Sequence, residues 1–354
     1  MQNVGGGYWS YDLDRKHVYS HRVRAGFQYG FGKDWMTEIA YLGSWIRDMD
    51  VSLRPNAVPG QYWNTSRVRN DALANDLNRT VPNPLAGLVP GMGLNTANTT
   101  KAQLLRPFPH MGTLNLEQVG LGTSRFDSME AEVKKRYSQG FTFSVAYTGS
   151  KQFTDRIVNE FEMRPTRYLD SWFHRVAANG IYDVPYGRKR RYGANAHYLL
   201  DTILGGWTLS GIYQYQIRGP LSFDGNYLFN GDYSQLYIPH DQTTPERKFN
   251  IDAGFNRVPA QQPAAYTVRL DAFAPDIRLP FRDPINQIDV SLLKSFYVTE
   301  RYYFRLKVDT FNIVNHPMFG QAVTDPLSSQ FGQVSGFSTY APMRNFLFTA
   351  QFFF

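Results

Sequence analysis

Period-two patterning constrains this chain more than any other feature, and it is most concentrated at the carboxyl end, in Phe346-Leu347-Phe348-Thr349-Ala350-Gln351-Phe352-Phe353-Phe354. Successive side chains of a strand point to opposite faces, so Phe346, Phe348, Ala350, Phe352 and Phe354 share one face while Leu347, Thr349, Gln351 and Phe353 share the other. Such a strand can set one face in hydrocarbon and turn the other inward, which is how a transmembrane β-barrel is built.

The same alternation recurs upstream. Phe141-Thr142-Phe143-Ser144-Val145-Ala146-Tyr147-Thr148 places an apolar residue at every second position. Trp207, Leu209, Gly211, Tyr213, Tyr215 and Ile217 form another stripe, opposed by Thr208, Ser210, Gln214, Gln216 and Arg218. Val23, Ala25, Phe27, Tyr29 and Phe31 are opposed by Arg22, Arg24, Gln28 and Gly30, and Tyr302, Phe304, Leu306 and Val308 by Arg305, Lys307 and Asp309. Fainter stripes run through Ile39, Tyr41 and Trp45, through Met129, Ala131, Val133 and Tyr137, through Val176, Ala178, Tyr182 and Val184, and through Ile288, Val290 and Leu292. With the terminal segment these predict about nine strands near the ~10-residue length of a tilted spanning strand. Thr113 to Val119 is a candidate for a tenth.

Composition agrees with a barrel and argues against other classes. Mean hydropathy is −0.41, and no stretch approaches the ~18 apolar residues of a spanning helix, whereas a barrel needs only every second residue to be oily. Phe, Trp and Tyr make up 16% of the chain, which fits interfacial girdles. Absence of cysteine excludes disulfide frameworks and thiolate metal sites. The formal charge of +7 is spread along the chain, which gives no electrostatic footprint for nucleic acid.

Connections alternate in length. Gly32-Lys33, Ser138-Gln139-Gly140 and Val298-Thr299-Glu300 are tight turns, while 50–121, 155–169, 220–285 and 316–340 are long and rich in Pro, Gly, Asn, Asp and Ser. Short periplasmic turns and long extracellular loops predict a last strand that descends into the periplasm. The connector 185–205, containing Arg188-Lys189-Arg190-Arg191, is long where a short turn is predicted. Nine strands put the beginning of the first on the extracellular side, whereas complete single-chain bacterial barrels have even counts. Met1-Gln2-Asn3-Val4-Gly5-Gly6-Gly7 also has no signal-peptide character. The expectation is therefore the carboxyl-terminal part of a longer barrel, with the whole of 1–354 one barrel domain and no plug; an extra strand within 50–121 is the alternative. An open sheet in lipid leaves edge groups unpaired at several kcal/mol each, so the isolated chain is not expected to be a stable membrane protein.

Several segments resemble a known family: Leu104-Leu105-Arg106-Pro107-Phe108-Pro109, then Met129-Glu130-Ala131-Glu132-Val133-Lys134-Lys135-Arg136-Tyr137-Ser138-Gln139-Gly140-Phe141-Thr142-Phe143, then Ala146-Tyr147-Thr148-Gly149-Ser150-Lys151. Further along come His174-Arg175-Val176-Ala177-Ala178-Asn179-Gly180-Ile181-Tyr182-Asp183-Val184-Pro185-Tyr186-Gly187 and Leu204-Gly205-Gly206-Trp207-Thr208-Leu209-Ser210-Gly211-Ile212. Asp289-Val290-Ser291-Leu292-Leu293-Lys294 and Phe311-Asn312-Ile313-Val314-Asn315-His316-Pro317-Met318-Phe319 complete the set. In order along about two-thirds of the chain, they are similar to the carboxyl-terminal barrel of TonB-dependent transporters, in particular the Oar-like group with a carboxypeptidase-regulatory-like front domain. The resemblance implies a barrel of about 22 strands around a plug, in the outer membrane of a Gram-negative-type bacterium. TonB would engage only through the missing plug region, and the solute is unknown. It also implies that the barrel-assembly machinery reads the terminal signal Phe348, Phe352 and Phe354.

Chemistry-bearing patterns are weak. His17 and His21 lie roughly 13 Å apart on a strand, too far to share one ion, and the other histidines are isolated. No nucleophile elbow, phosphate loop or zincin helix occurs, so neither an enzyme nor a cofactor is expected. Gly205-Gly206 would relax a turn before Trp207 at the membrane boundary, and Asn315-His316-Pro317 would stop a strand. Arg22, Arg24, Glu38, Glu130, Glu132, Lys134, Arg136, Arg175, Arg218, Asp289, Arg305, Lys307 and Asp309 oppose the oily stripes and would line the lumen, as cross-strand ion pairs or as a charged path. Binding is expected in the loops, where 55–100 carries Tyr62, Trp63, Arg67, Arg69 and repeated Asn, and 224–250 carries Tyr227, Phe229, Tyr233, Tyr237 and His240. These residues suit saccharide or peptide capture, and equally stacking on lipid head groups or on neighbouring loops. The competing functional reading is a structural or adhesive outer-membrane barrel without transport.

Overall fold

The computed structural model describes residues 6–88, 94–187, 190–217, 221, 223, 227–269, 283–299, 301–334, 336–337 and 343–354. Nine long strands follow one another as an antiparallel meander: β2 (Tyr19–Phe31), β3 (Trp35–Leu53), β6 (Leu114–Ser138), β7 (Phe141–Arg156), β8 (Thr166–Asp183), β9 (Trp207–Ile217), β10 (Ile285–Tyr297), β11 (Tyr303–Phe311) and β12 (Asn345–Phe353). A tenth member, β1 (Tyr8–Tyr11), pairs in parallel with the outer end of β6. A separate ribbon, β4 (Thr80–Pro82) with β5 (Asn98–Thr100), lies in the first long loop beside helices α1 (Asp71–Asn78) and α2 (Lys101–Leu105). Helix α3 (Tyr198–Leu204) occupies the connector between β8 and β9. No helix among the described residues is long and apolar enough to cross a membrane.

Register carries the alternation across the whole sheet. One row reads Tyr29, Thr37, Val133, Val145, Ala178, Tyr213 and Ile288, and the adjacent row on the opposite face reads Gln28, Glu38, Glu132, Ala146, Ala177, Gln214 and Gln287. Leu292, Val308 and Phe348 continue the oily face through β11 to β12, and Ser291, Asp309 and Leu347 the other. A slip of one residue in any pairing would put charges such as Glu132 on the lipid side, so the sequence allows a single register.

At the periplasmic end the oily face carries rings: Phe31 stacks on Trp35 at 5.5 Å, and Trp35 meets Phe143 edge-on at 5.3 Å. Towards the outside the band ends on β6 at Arg125 and Asp127, an ion pair at 2.7 Å that also takes the Tyr41 hydroxyl at 2.6 Å. Between Asp127 and Lys135 the strand advances ~26 Å at ~3.3 Å per residue, close to the apolar height of a barrel before tilt.

Strands are longer than the sequence predicts. The stripe at 129–137 is only the inner third of β6, and Thr113 to Val119 is largely its outermost part, beginning at Leu114, and not a separate spanning strand. Its pairing with β3 becomes irregular beyond Ile46, where Asp48 and Gln118 take φ of 53° and 58°. Below, Gln139 and Gly140 have φ of 54° and 86°, the left-handed pair of a tight hairpin turn. Glu300, in the third short turn, lies outside the described residues. The Asn315-His316-Pro317 segment is not the stop for β11, which ends at Phe311. Asn312, fully buried with φ of 52° and its amide donating to Asp289 at 2.8 Å, turns the chain first.

Candidate functional site

The inner face is a polar wall on which part of the charge is paired. Arg24 pairs with Glu38 at 3.0 Å and Glu130 at 3.6 Å across strands, whereas Lys134 with Glu132 at 2.7 Å and Lys307 with Asp309 at 2.8 Å pair along a single strand. Arg22, Arg136, Arg175, Asp289 and Arg305 share this face, and Arg218 lies outside the described residues. Near the periplasmic end Phe353 points inward as its parity requires, stacks on Tyr303 at 4.4 Å, and places Arg305 5.0 Å from both rings.

Outside the membrane the long loops form packed bodies. Phe229, Leu236, Phe249 and Phe255 from the β9–β10 loop bury against Phe331 and Ala322 from the β11–β12 loop. Lys248 and Asp283 form a nearly buried pair at 2.9 Å, and the Lys248 ammonium lies 4.4 Å from the Phe319 ring. Val58, Leu77 and Ala102 make a second core in the β3–β6 loop, with Tyr62 and Leu73 packed on it. That loop is tied by its asparagines: the Asn56 side chain donates to the carbonyls of Phe108, Met111 and Gly112, and Asn83 donates to those of Leu94 and Thr96. Asn70 caps α1 by accepting from Leu73.

These cores account for most residues that the sequence offers as ligand contacts. Phe229 is buried and stacks with Tyr233 at 4.3 Å, Arg67 lies over Tyr233 at 5.8 Å, and Arg69 is held by Asp71 and by the carbonyl of Gln262. Stacking on neighbouring loops is therefore their observed role. Tyr237 stays exposed, and the side chain of His240 lies outside the described ones.

Trp63 is different. Its indole donates to the Val58 carbonyl at 2.8 Å, and its ring packs against Phe161 at 5.0 Å and Tyr266 at 5.8 Å, where three loops meet. Asn64 pairs with the backbone of 266–268, Arg54 reaches Glu160 at 2.7 Å, and the Asn159 side chain accepts from the Arg269 amide at 2.8 Å. Between them is a cleft of about 470 Å³ lined by Trp63, Arg54, Asn159, Glu160, Thr267 and Arg269, among others. An aromatic wall with two guanidinium groups, a carboxylate and an amide can hold a polar, ring-bearing solute by stacking and hydrogen bonds. Sequence reasoning found Trp63 but not its partners, because 157–160 and 267–269 are brought to it only by the closing of three loops.

A family model described as outer membrane beta barrel domain matches residues 2–346. The chain belongs to that family. This outer membrane β-barrel domain is therefore a protein of the outer membrane, its oily face in lipid and its long loops outside. A solved structure of the outer membrane transporter YddB from Escherichia coli aligns over 99% of the domain at 9% identity and a TM-score of 0.41. The domain covers 35% of that chain, about a third of its length. No curated protein matches. In this barrel domain Phe348 and Phe352 lie exposed on the lipid face of β12, an edge strand whose described partner is β11 alone, and Phe354 is exposed just beyond its end.

Proposed function

We propose that the domain is the barrel part of a TonB-dependent, Oar-like transporter that takes up or passes a bulky solute across the outer membrane. Residues outside 1–354 would supply the plug and the TonB-contacting segment. The observation that carries the reading is the inner face, on which polar side chains recur from strand to strand, the ion pairs Arg24–Glu38, Lys134–Glu132 and Lys307–Asp309 among them. A polar inner face of this kind suits the passage of a hydrated solute. Under this reading the domain does no bond chemistry and holds no cofactor, and the cleft beside Trp63 is the first stop for the solute. Phe348, Phe352 and Phe354 serve the barrel-assembly machinery. The decisive experiment removes TonB from the producing bacterium and follows surface phenotypes of the complete protein. Loss of solute accumulation with the protein still at the surface supports transport. Undiminished function without TonB overturns it in favour of the structural or adhesive barrel.

A further inference from the structure

The connector between β8 and β9 is the one inner turn that is long, and the structure gives its length a purpose. Helix α3, Tyr198-Leu199-Leu200-Asp201-Thr202-Ile203-Leu204, is inverted for water: Leu199 is 62% and Ile203 63% exposed, and Tyr198, Leu200 and Leu204 are exposed as well. Its polar residue Asp201 instead turns to the connector, where a Cβ added to Gly187 or Gly205 would meet the Asp201 carboxylate at 2.7 or 2.6 Å. In water this burial pattern is unfavourable, because it leaves apolar surface wet.

Two bonds fix the helix to the lipid side of the wall. The Trp207 indole donates to the Ile203 carbonyl at 2.8 Å, and Lys294 donates to the Gly205 carbonyl. Both residues lie on the oily face, paired in register. Lys294 would otherwise be a charge in the apolar band; it is 4% exposed, with its ammonium 5.3 Å from the Trp207 ring and 5.0 Å from Phe296. Lys135, on the same face of β6, is satisfied by the short turn below it, through the carbonyls of Ser138 and Phe141. For Lys294 the carbonyl comes from the connector. Gly206, with φ of 71°, lets the chain pass where a side chain would strike the Ser295 carbonyl. Gly187, whose amide donates to the Tyr192 carbonyl, lies against Gly205, and Arg190 and Arg191 are exposed close by, Arg190 at 3.9 Å from the Asp183 carboxylate.

We propose that this connector is an interfacial anchor: α3 lies in the head-group boundary of the periplasmic leaflet, and Arg190 and Arg191 bind anionic phospholipid there. Its apolar side continues the lipid-facing surface at the level of the aromatic girdle, and the cationic turn beside it complements phosphate. Residues 1–354 contain no cysteine, so Leu200→Cys carries a polarity-sensitive fluorophore in the complete protein, with the parent labelled in parallel as background. The protein is reconstituted in vesicles of phosphatidylcholine alone or mixed with phosphatidylglycerol, with brominated acyl chains as quencher, and heat-modifiable gel mobility confirms folding. The expected result is blue-shifted emission, with quenching several-fold stronger in the anionic vesicles. Arg190→Glu with Arg191→Glu should abolish that difference. The same label at Leu13→Cys, fully exposed on the extracellular side, should report water throughout. Water-like emission at Leu200→Cys in both lipids overturns the anchor, and equal quenching in both overturns its selection of anionic lipid.

Discussion

Asparagine residues decide how the loops stand. Asn56 is 1% exposed and makes four bonds to the backbone, three as donor and one accepting from the Phe108 amide at 2.8 Å. Replacing it by alanine takes the partner from the Gly112 carbonyl and the Phe108 amide until water enters, whereas the Phe108 and Met111 carbonyls keep the Met111 amide and the Gln103 side chain. Because an unmet buried polar group costs ~1–3 kcal/mol, Asn56→Ala should lower the local opening free energy of the 54–113 loop by about 2 kcal/mol. In the regime where opening is fast, limited proteolysis should then cut this loop roughly thirtyfold faster, with the strands below unaffected. The same residues show why the sequence alone does not separate ligand contacts from loop packing. Repeated Asn and aromatic residues look alike in a sequence whether their bonds end on a ligand or on the loop's own backbone, and only the closed loop distinguishes the two.

Strands and helices were legible to very different degrees. All nine strands were readable from period two, because lipid on one side and water on the other impose the pattern residue by residue. Their outer extensions were not: above the membrane both faces meet water or loops, and the alternation that reveals a strand is lost. Helix α3 and the pair α1 and α2 were missed, being too short for a helical period to show. Between α1 and α2, Lys101 reaches Asp76 at 2.5 Å and holds its carboxyl below the usual carboxylate range, as Arg69 does for Asp71. A carboxylate whose folded pKa is depressed adds stability above its unfolded value, near ~3.9, and loses it as pH falls through the folded one. Protection across 71–105, with each exchange rate referred to the intrinsic rate at the same pH, should therefore fall on acidification below about pH 4, while protection in β6 and β7 stays high. Both carboxylates are well exposed, so salt should blunt the effect.

On the scale of the molecule, the two edges of the sheet govern what the domain requires. Strand β2 is exposed along its whole length, and β12 shows its far edge without a described partner. Both run in the same direction, so direct closure of one on the other would be parallel, and antiparallel closure takes an odd number of further strands. Assembly is accordingly the step where β12 is most exposed to error. Removing Phe354 should lower the folded, heat-modifiable share of the protein in the outer membrane several-fold at unchanged synthesis, and Phe354→Tyr should restore most of it. Equal folding without Phe354 would end the role given to the terminal aromatic residues.

The great length of β6 has a further consequence. The thirteen residue steps from Asp127 out to Leu114 climb ~43 Å along the strand, or ~30 Å above the hydrocarbon at a tilt of about 45°. The Trp63 cleft thus stands on a tower. A large object approaching from outside meets these loops before it meets the membrane, so whatever the domain presents to its surroundings is presented here first.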